Sequence, residues 1–392
     1  MKWLIAKEWY VVAAVMLVVL VAAFGLPRLV SSLRAKVAIA AFHAEIAKNP
    51  PSFPGQIDAY HQLLQAVGPS EAQDILLSSM PNDSRTHMIQ HEAGKYLYES
   101  EGLAGIGNCK NYFAGGCYHG FISAVIAQRG VADVKNIEGA CERALSSDQQ
   151  MQCAHGVGHG LLAEVAGYAN LPQALDLCQQ IFAGNDKKAV NCYDGVFMEN
   201  NFGAFDVPPP GRWYKASDPM YPCKIPSVLD KPGAHDYCWG MQSQLTLHTD
   251  AYPQFGGDIK KVETYCESFS TGNDRGFCFE GIARQIQLTN GNNIAGMRSM
   301  CAQMSSGNVS QCIWSAAEAA YIYGDHSSDV LMICESETGT QKDTCYATLE
   351  QGIAISYSLT SNRITACEKD LPEAAYQKSC AAWMQSPAAA DY

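Results

Sequence analysis

The chain has 392 residues, 47% of them hydrophobic and 17% charged, with a formal net charge of -12 at pH 7. That length can bury a large core, and the acidic balance argues against a phosphate-binding surface, so nucleic acid is excluded as a partner. No Walker loop, GxGxxG fingerprint, GxSxG elbow or haem-attaching CxxCH occurs, which leaves no nucleotide and no haem among the expected cofactors.

Tyr10 to Leu26 is an uncharged apolar run just long enough to cross a bilayer as a helix, with Trp3, Trp9 and Tyr10 suited to the interface. Residues 1–30 are therefore expected to form an uncleaved membrane anchor. A cleaved signal peptide is the alternative, but its apolar core is normally shorter, and no small-residue cleavage site precedes Arg28, Arg34 and Lys36. Basic residues flank the run on both sides, so orientation rests on the cysteines discussed below. They predict a single-pass membrane protein with a cytoplasmic N-terminus and a periplasmic or extracellular C-terminal domain.

Residues 31–55 read as a helical stalk, Ser31 to Lys48, stopped by the Pro-Pro-Ser-Phe-Pro-Gly run at 50–55. Residues 56–108 read as capping helices over Gln56 to Val67, Ser70 to Ser79 and Ser84 to Ser100, divided by Gly68-Pro69 and by Pro81-Asn82-Asp83. Residues 109–385 are the cysteine-paired repeats, and 386–392 a tail.

Sixteen cysteines form eight consecutive close pairs: Cys109/Cys117, Cys141/Cys153, Cys178/Cys192, Cys223/Cys238, Cys266/Cys278, Cys301/Cys312, Cys334/Cys345 and Cys367/Cys380. Partners are 8 to 15 residues apart and successive pairs begin 32 to 45 residues apart, the period of a helical-hairpin repeat. An even, regularly spaced set persists as disulfides where thiols are not kept reduced. Zinc is the competing reading, yet structural zinc sites favour cysteines two to four residues apart, and no CxxC occurs. The first cysteine closes one apolar-periodic stretch and the second opens the next, as in NIEGACERAL, SSDQQMQ and CAHGVGHGLLAEVAGY. Each disulfide is thus expected to close the turn of an αα-hairpin, in an all-α solenoid of about eight stapled hairpins.

Aligned on the second cysteine, the next residue is Tyr118, Ala154, Tyr193, Trp239, Phe279, Ile313, Tyr346 or Ala381, a mostly large and apolar position that packs inward. Three residues after the cysteine stand Gly120, Gly156, Gly195 and Gly281. Glycine costs about 1 kcal/mol in a helix, so its recurrence signals either close backbone approach between helices or an irregular helix start. This stapled arrangement resembles the Sel1-like and related TPR-like solenoids, particularly cysteine-rich bacterial members in which a disulfide ties the two helices of each repeat. The resemblance spans residues 70 to 385 and is architectural. It implies a solenoid face open to a protein or peptide partner and brings no functional residue with it.

Five of ten histidines fall in the first three hairpins: His87, His91, His119, His155 and His159. His87 with His91, and His155 with His159, are HxxxH pairs that place two imidazoles on one helix face. Ten histidines scattered at random would give roughly a quarter of one such pair. His119 and His155 both stand two residues after the second cysteine of their repeats, and Asp194 holds that place in the next. Helices stacked about 8–10 Å apart would let these side chains converge on one transition-metal ion, for which zinc, copper and iron are the candidates. The rival is a set of imidazoles that only hydrogen-bond between helices.

Glu92, Glu164 and Glu199 are nearby carboxylates, and Glu92 and Glu199 are the candidates for catalysis if the site is a metalloenzyme. His91-Glu92 opens like a zinc-protease helix, but Lys95 stands where HExxH needs its second histidine. Three alternating glycines in HGVGHG at 155–160 point to a closely approaching neighbour or to non-helical geometry. The insertion at 202–222, with three consecutive prolines and Trp213, Tyr214 and Tyr221, is either a binding loop or a cover over one face. The sequence thus predicts a membrane-anchored, extracytoplasmic repeat protein with a histidine-rich metal site. A metal-free scaffold for protein, peptide or glycan and a metalloenzyme are the alternatives.

Overall fold

The computed structural model describes residues 26–48, 52–81, 84–113, 115–144, 147–203, 211–249, 251–290, 293–323, 333–356, 360–387 and 389. Among them no helix is long and apolar enough to cross a membrane. This overturns the membrane-anchored, single-pass reading, and with it the membrane as a partner and the assignment of cytoplasmic and extracytoplasmic sides. The run from Tyr10 to Gly25 lies outside the described residues. Helix α1 (Leu26–Ile46) carries Arg28, Arg34, Lys36 and Glu45, charges that a hydrocarbon interior does not accommodate.

The chain divides into two compact units, 1–74 and 75–392. In the first, α1 packs on α2 (Phe53–Val67) through Phe42 and Tyr60, both fully buried, with ring centroids 5.9 Å apart. The proline-rich run starts a helix instead of only stopping one. Ser52 caps α2 by accepting from the Gly55 amide at 3.2 Å, and Pro54 occupies the first turn, where a missing N–H costs nothing. Helix α3 (Pro69–Ser79) follows.

The second unit is all-α: α4 (Ser84–Glu101), α5 (Gly116–Arg129), α6 (Val134–Ala144), α7 (Ser147–Gly160), α8 (Leu171–Ile181), α9 (Asp186–Phe202), α10 (Pro226–Leu229), α11 (Ala234–Leu245), α12 (Ile259–Glu267), α13 (Gly272–Asn290), α14 (Ile294–Cys301), α15 (Val309–Tyr323), α16 (Thr340–Ser356), α17 (Thr360–Asp370) and α18 (Ala374–Met384). The second helices of the hairpins pack one on the next in chain order, α4, α5, α7, α9, α11, α13, α15, α16, and form an inner row. The shorter first helices α6, α8, α12 and α14 each pack on their own partner in that row.

All eight disulfides join consecutive cysteines: Cys109–Cys117, Cys141–Cys153, Cys178–Cys192, Cys223–Cys238, Cys266–Cys278, Cys301–Cys312, Cys334–Cys345 and Cys367–Cys380. Their Cα atoms are 5.5 to 6.5 Å apart, and no free cysteine remains. The result is an all-α solenoid of stapled hairpins, consistent with the architectural resemblance to Sel1-like and TPR-like solenoids.

The second cysteine of a pair does not open its helix in most repeats, which corrects the hairpin reading of the staple. Only Cys117, the second residue of α5, sits at a helix start. Cys312 is the fourth residue of α15, Cys238 the fifth of α11 and Cys345 the sixth of α16. Cys153, Cys192, Cys278 and Cys380 stand seventh in α7, α9, α13 and α18. Most of the SSDQQMQ turn is therefore helix, as its Ser-Asp start favours. The physical reason is that the chain re-enters a helix as soon as a start signal allows, up to two turns before the bond. In Cys141–Cys153, Cys178–Cys192, Cys266–Cys278 and Cys301–Cys312 the staple thus clamps one helix to another and does not pinch a turn.

The glycines three residues after these cysteines are accordingly interior helical residues, and an irregular helix start does not explain them. Contact does: a Cβ built on Gly120 would fall 2.0 Å from the His91 carbonyl oxygen, and one on Gly195 2.0 Å from that of His155. The residue after the second cysteine is buried in seven repeats, from Tyr118 to Tyr346, and only Ala381 is half-buried.

Gly120→Ala and Gly195→Ala are expected to destabilise the fold by about 1–3 kcal/mol, because backbone must move to admit the methyl. At Gly276, inside α13 with nothing within 4 Å of an added Cβ, the same change should stabilise by about 0.5–1 kcal/mol. Urea midpoints of the three variants check both signs.

Candidate metal centre

The close row of helices carries the histidines inward together: His87 and His91 from α4, His119 from α5, His155 and His159 from α7. The alternating glycines of HGVGHG are all helical, and each faces a neighbour. A Cβ on Gly156 would meet the His119 Cα at 3.2 Å, one on Gly158 the Cys192 carbonyl of α9 at 2.1 Å, and one on Gly160 Ile126 of α5 at 2.7 Å. Immediately beyond, residues Leu161–Ala166 widen into a π-helix, a rare turn common at functional sites.

Four of the five histidines are buried and His91 is half-buried. Nε2 of His91 lies 3.1 Å from Nε2 of His87, which is 3.3 Å from Nδ1 of His119. Nε2 of His155 lies 3.0 Å from Nε2 of His159. The His119 ring stacks on those of His155 and His159, with centroids 4.5 and 5.0 Å away. Two triads, His87/His91/His119 and His119/His155/His159, have ligand atoms within 4.8 Å of one another and form candidate metal-chelating sites.

Partners on the far ring nitrogens fix the tautomers. Nδ1 of His87 donates to the Phe113 carbonyl at 2.7 Å, Nδ1 of His159 donates to Oε2 of Glu199 at 2.7 Å, and Nδ1 of His155 lies 3.1 Å from Oδ2 of Asp194. A neutral imidazole has one N–H. With it on Nδ1, His155 and His159 turn two Nε2 lone pairs toward each other, an arrangement that calls for a proton or a metal ion between them. Burial opposes the proton: it pushes His155 below its ordinary value, His91 and His119 well below theirs, and His87 down to about 3.

Several members of this network carry little sequence signal. Phe113 holds φ +51°, a left-handed backbone that a non-glycine residue rarely adopts, and so presents its carbonyl to His87. Gln152 accepts from Nε2 of His119 at 3.2 Å, and Tyr168 donates to Oε1 of Glu199. Burial raises the Tyr168 hydroxyl far above its ordinary value, so it stays a donor. Arg284 reaches across from α13 to 3.8 Å from Asp194; burial alone would raise that carboxyl, but Arg284 and His155 hold it below the usual range. Sequence reasoning missed all of them; only Arg284 carries a signal, standing six residues after its second cysteine as His159 does after its own.

Asp194 and Glu199 stand on the Nδ1 side of the imidazoles, where carboxylates orient a ligand and raise its basicity. Glu92 lies 3.8 Å from Lys95 and is not part of either triad. The described part of the insertion folds back on the chain: Trp213 stacks on Tyr221 at 5.7 Å, exchanges hydrogen bonds with Asn200 and donates from its ring to the Ala169 carbonyl, and Tyr214 donates to Ala251. It braces the segment beside Tyr168. No protein-family model and no curated protein matches the chain.

In the metal-stripped protein the His87 ring is expected to titrate at about 3 by NMR, far below the ordinary 6.5. Between those values the unfolded chain binds the proton and the folded one does not. His87 therefore costs stability as pH falls, roughly 1.4 kcal/mol per pH unit below about 6.5. Glu318 and Glu350, pushed up by burial to about 8 and about 7, act in the opposite direction. The difference in unfolding free energy between the parent and His87→Gln across pH 7 to 5 isolates the histidine.

Proposed function

We propose that this chain is a helical-repeat protein that binds a transition metal through the imidazoles of its first three stapled hairpins. The observation that carries the reading is the 3.0 Å approach of two Nε2 lone pairs, His155 and His159, each with its Nδ1 held by a carboxylate. Neutral buried imidazole is the form that ligates metal, and the nearby carboxylates supply the negative charge that a buried cation needs.

Every cysteine is tied in a disulfide, so thiolates are not available as ligands. A donor set of imidazole nitrogens suits zinc, copper or iron. Glu199 serves as a positioning residue, since His159 and Tyr168 occupy its two oxygens.

The full chain, stripped with a chelator, reloaded with zinc(II) and passed over a sizing column, is expected to retain stoichiometric zinc by elemental analysis. His155→Ala/His159→Ala should retain less. Zinc absent from the parent, or equal in both proteins, removes the reading and leaves a metal-free scaffold whose solenoid face would take a protein or peptide.

A further inference from the structure

The five imidazoles do not form one ring of ligands. Around a single zinc ion, with bonds of about 2.0–2.1 Å, two donors can be no more than about 4.2 Å apart, twice the bond length. The spacing within each HxxxH pair, 3.1 Å for His87/His91 and 3.0 Å for His155/His159, is well inside that limit. The pairs do not merge: even with 4.8 Å allowed, the ligand atoms gather as two triads that have only His119 in common.

Each pair also has its own support. Behind the first stands a neutral group, the Phe113 carbonyl on His87; behind the second stand two carboxylates, Asp194 on His155 and Glu199 on His159. His119 lies between, with Nδ1 3.3 Å from Nε2 of His87 and its ring stacked on both His155 and His159. We propose that the centre holds two transition-metal ions, one on each HxxxH pair, with Nδ1 of His119 turned to the first. This rests on the metal-binding reading above.

The two ions differ in affinity. Two anionic partners raise the basicity of the second pair and balance cation charge, an effect worth roughly 10–100-fold for such supporting groups. Arg284, 3.8 Å from Asp194, offsets part of that charge. The His155/His159 ion therefore loads first.

The test is a cobalt(II) titration of the metal-stripped full chain, followed by visible absorption, with zinc content of the reloaded chain as a count. Saturation at two equivalents in two steps is expected. His87→Ala/His91→Ala should keep one tight ion, and His155→Ala/His159→Ala one weaker ion, with helicity by circular dichroism confirming that each variant is folded. One equivalent in the parent, lost in either double variant, would mean a single shared centre; it overturns the two-ion inference and leaves metal binding standing. No ion in the parent overturns both. A measurement without substitutions decides independently: copper(II) loaded to saturation should give a half-field EPR signal from two close ions, whereas an isolated-ion spectrum of full intensity overturns the proposal.

Discussion

The distance between neighbouring inner helices decides whether the histidines can act together. Imidazoles on separate α-helices at ordinary axis spacing reach across a gap filled by other side chains. Here glycine removes that filling. With Gly120 against the His91 carbonyl and Gly195 against that of His155, the backbone segments carrying the histidines are themselves the contact surface. His119 can then stack on two rings of the next helix. The disulfides act one level down: Cys141–Cys153, Cys178–Cys192, Cys266–Cys278 and Cys301–Cys312 each hold a first helix to its partner in the row.

That proximity creates the electrostatic condition for metal binding. Several buried bases close together cannot all carry protons, because burial and mutual repulsion both favour the neutral form. Three of the rings are already committed on their far side to a carbonyl or a carboxylate. At His155 and His159 two Nε2 lone pairs then face each other with no proton between them, and a cation meets that need at less desolvation cost than an imidazolium buried alone.

The cysteine pairing, the helical hairpins and the five-histidine cluster were legible because each is a matter of spacing along the chain. Local staples at a regular period allow one pairing, and HxxxH places two rings on one face whatever the tertiary fold. The depth of each staple in its helix was not, since Cys117 and Cys380 occupy the same place in the repeat but the second and seventh places in their helices. The supporting groups were not legible either, because they depend on contacts between repeats or on backbone shape. Nothing in the residues around Phe113 announces a left-handed backbone, and nothing around Gln152 or Tyr168 announces a partner in another repeat. The proline run at 50–55 misled for a related reason: proline stops a helix from its interior but starts one from its first turn, and only the Ser52 cap shows which applies. The apolar run before Gly25 suggested an anchor by composition alone, while the helix that follows it is charged along its length.

The same register runs beyond the histidines and changes chemistry as it goes. Two residues after the second cysteine come His119, His155, Asp194 and, two repeats further, Glu280; six residues after it come His159, Arg284 and Glu318. A solenoid repeats its geometry, so these positions recur on one side of the inner row, with histidines in the first repeats and Asp194, Glu280, Arg284 and Glu318 further on. Glu280 is solvent-exposed, and Glu318 is raised to about 8 by burial and by Glu280. Near neutral pH Glu318 is largely protonated, which limits the repulsion between the two acids. Arg284, the one fixed positive charge in this register, is paired to Asp194 and so tied to the second histidine pair. The later repeats thereby reach the candidate metal centre through the buried Asp194 carboxylate.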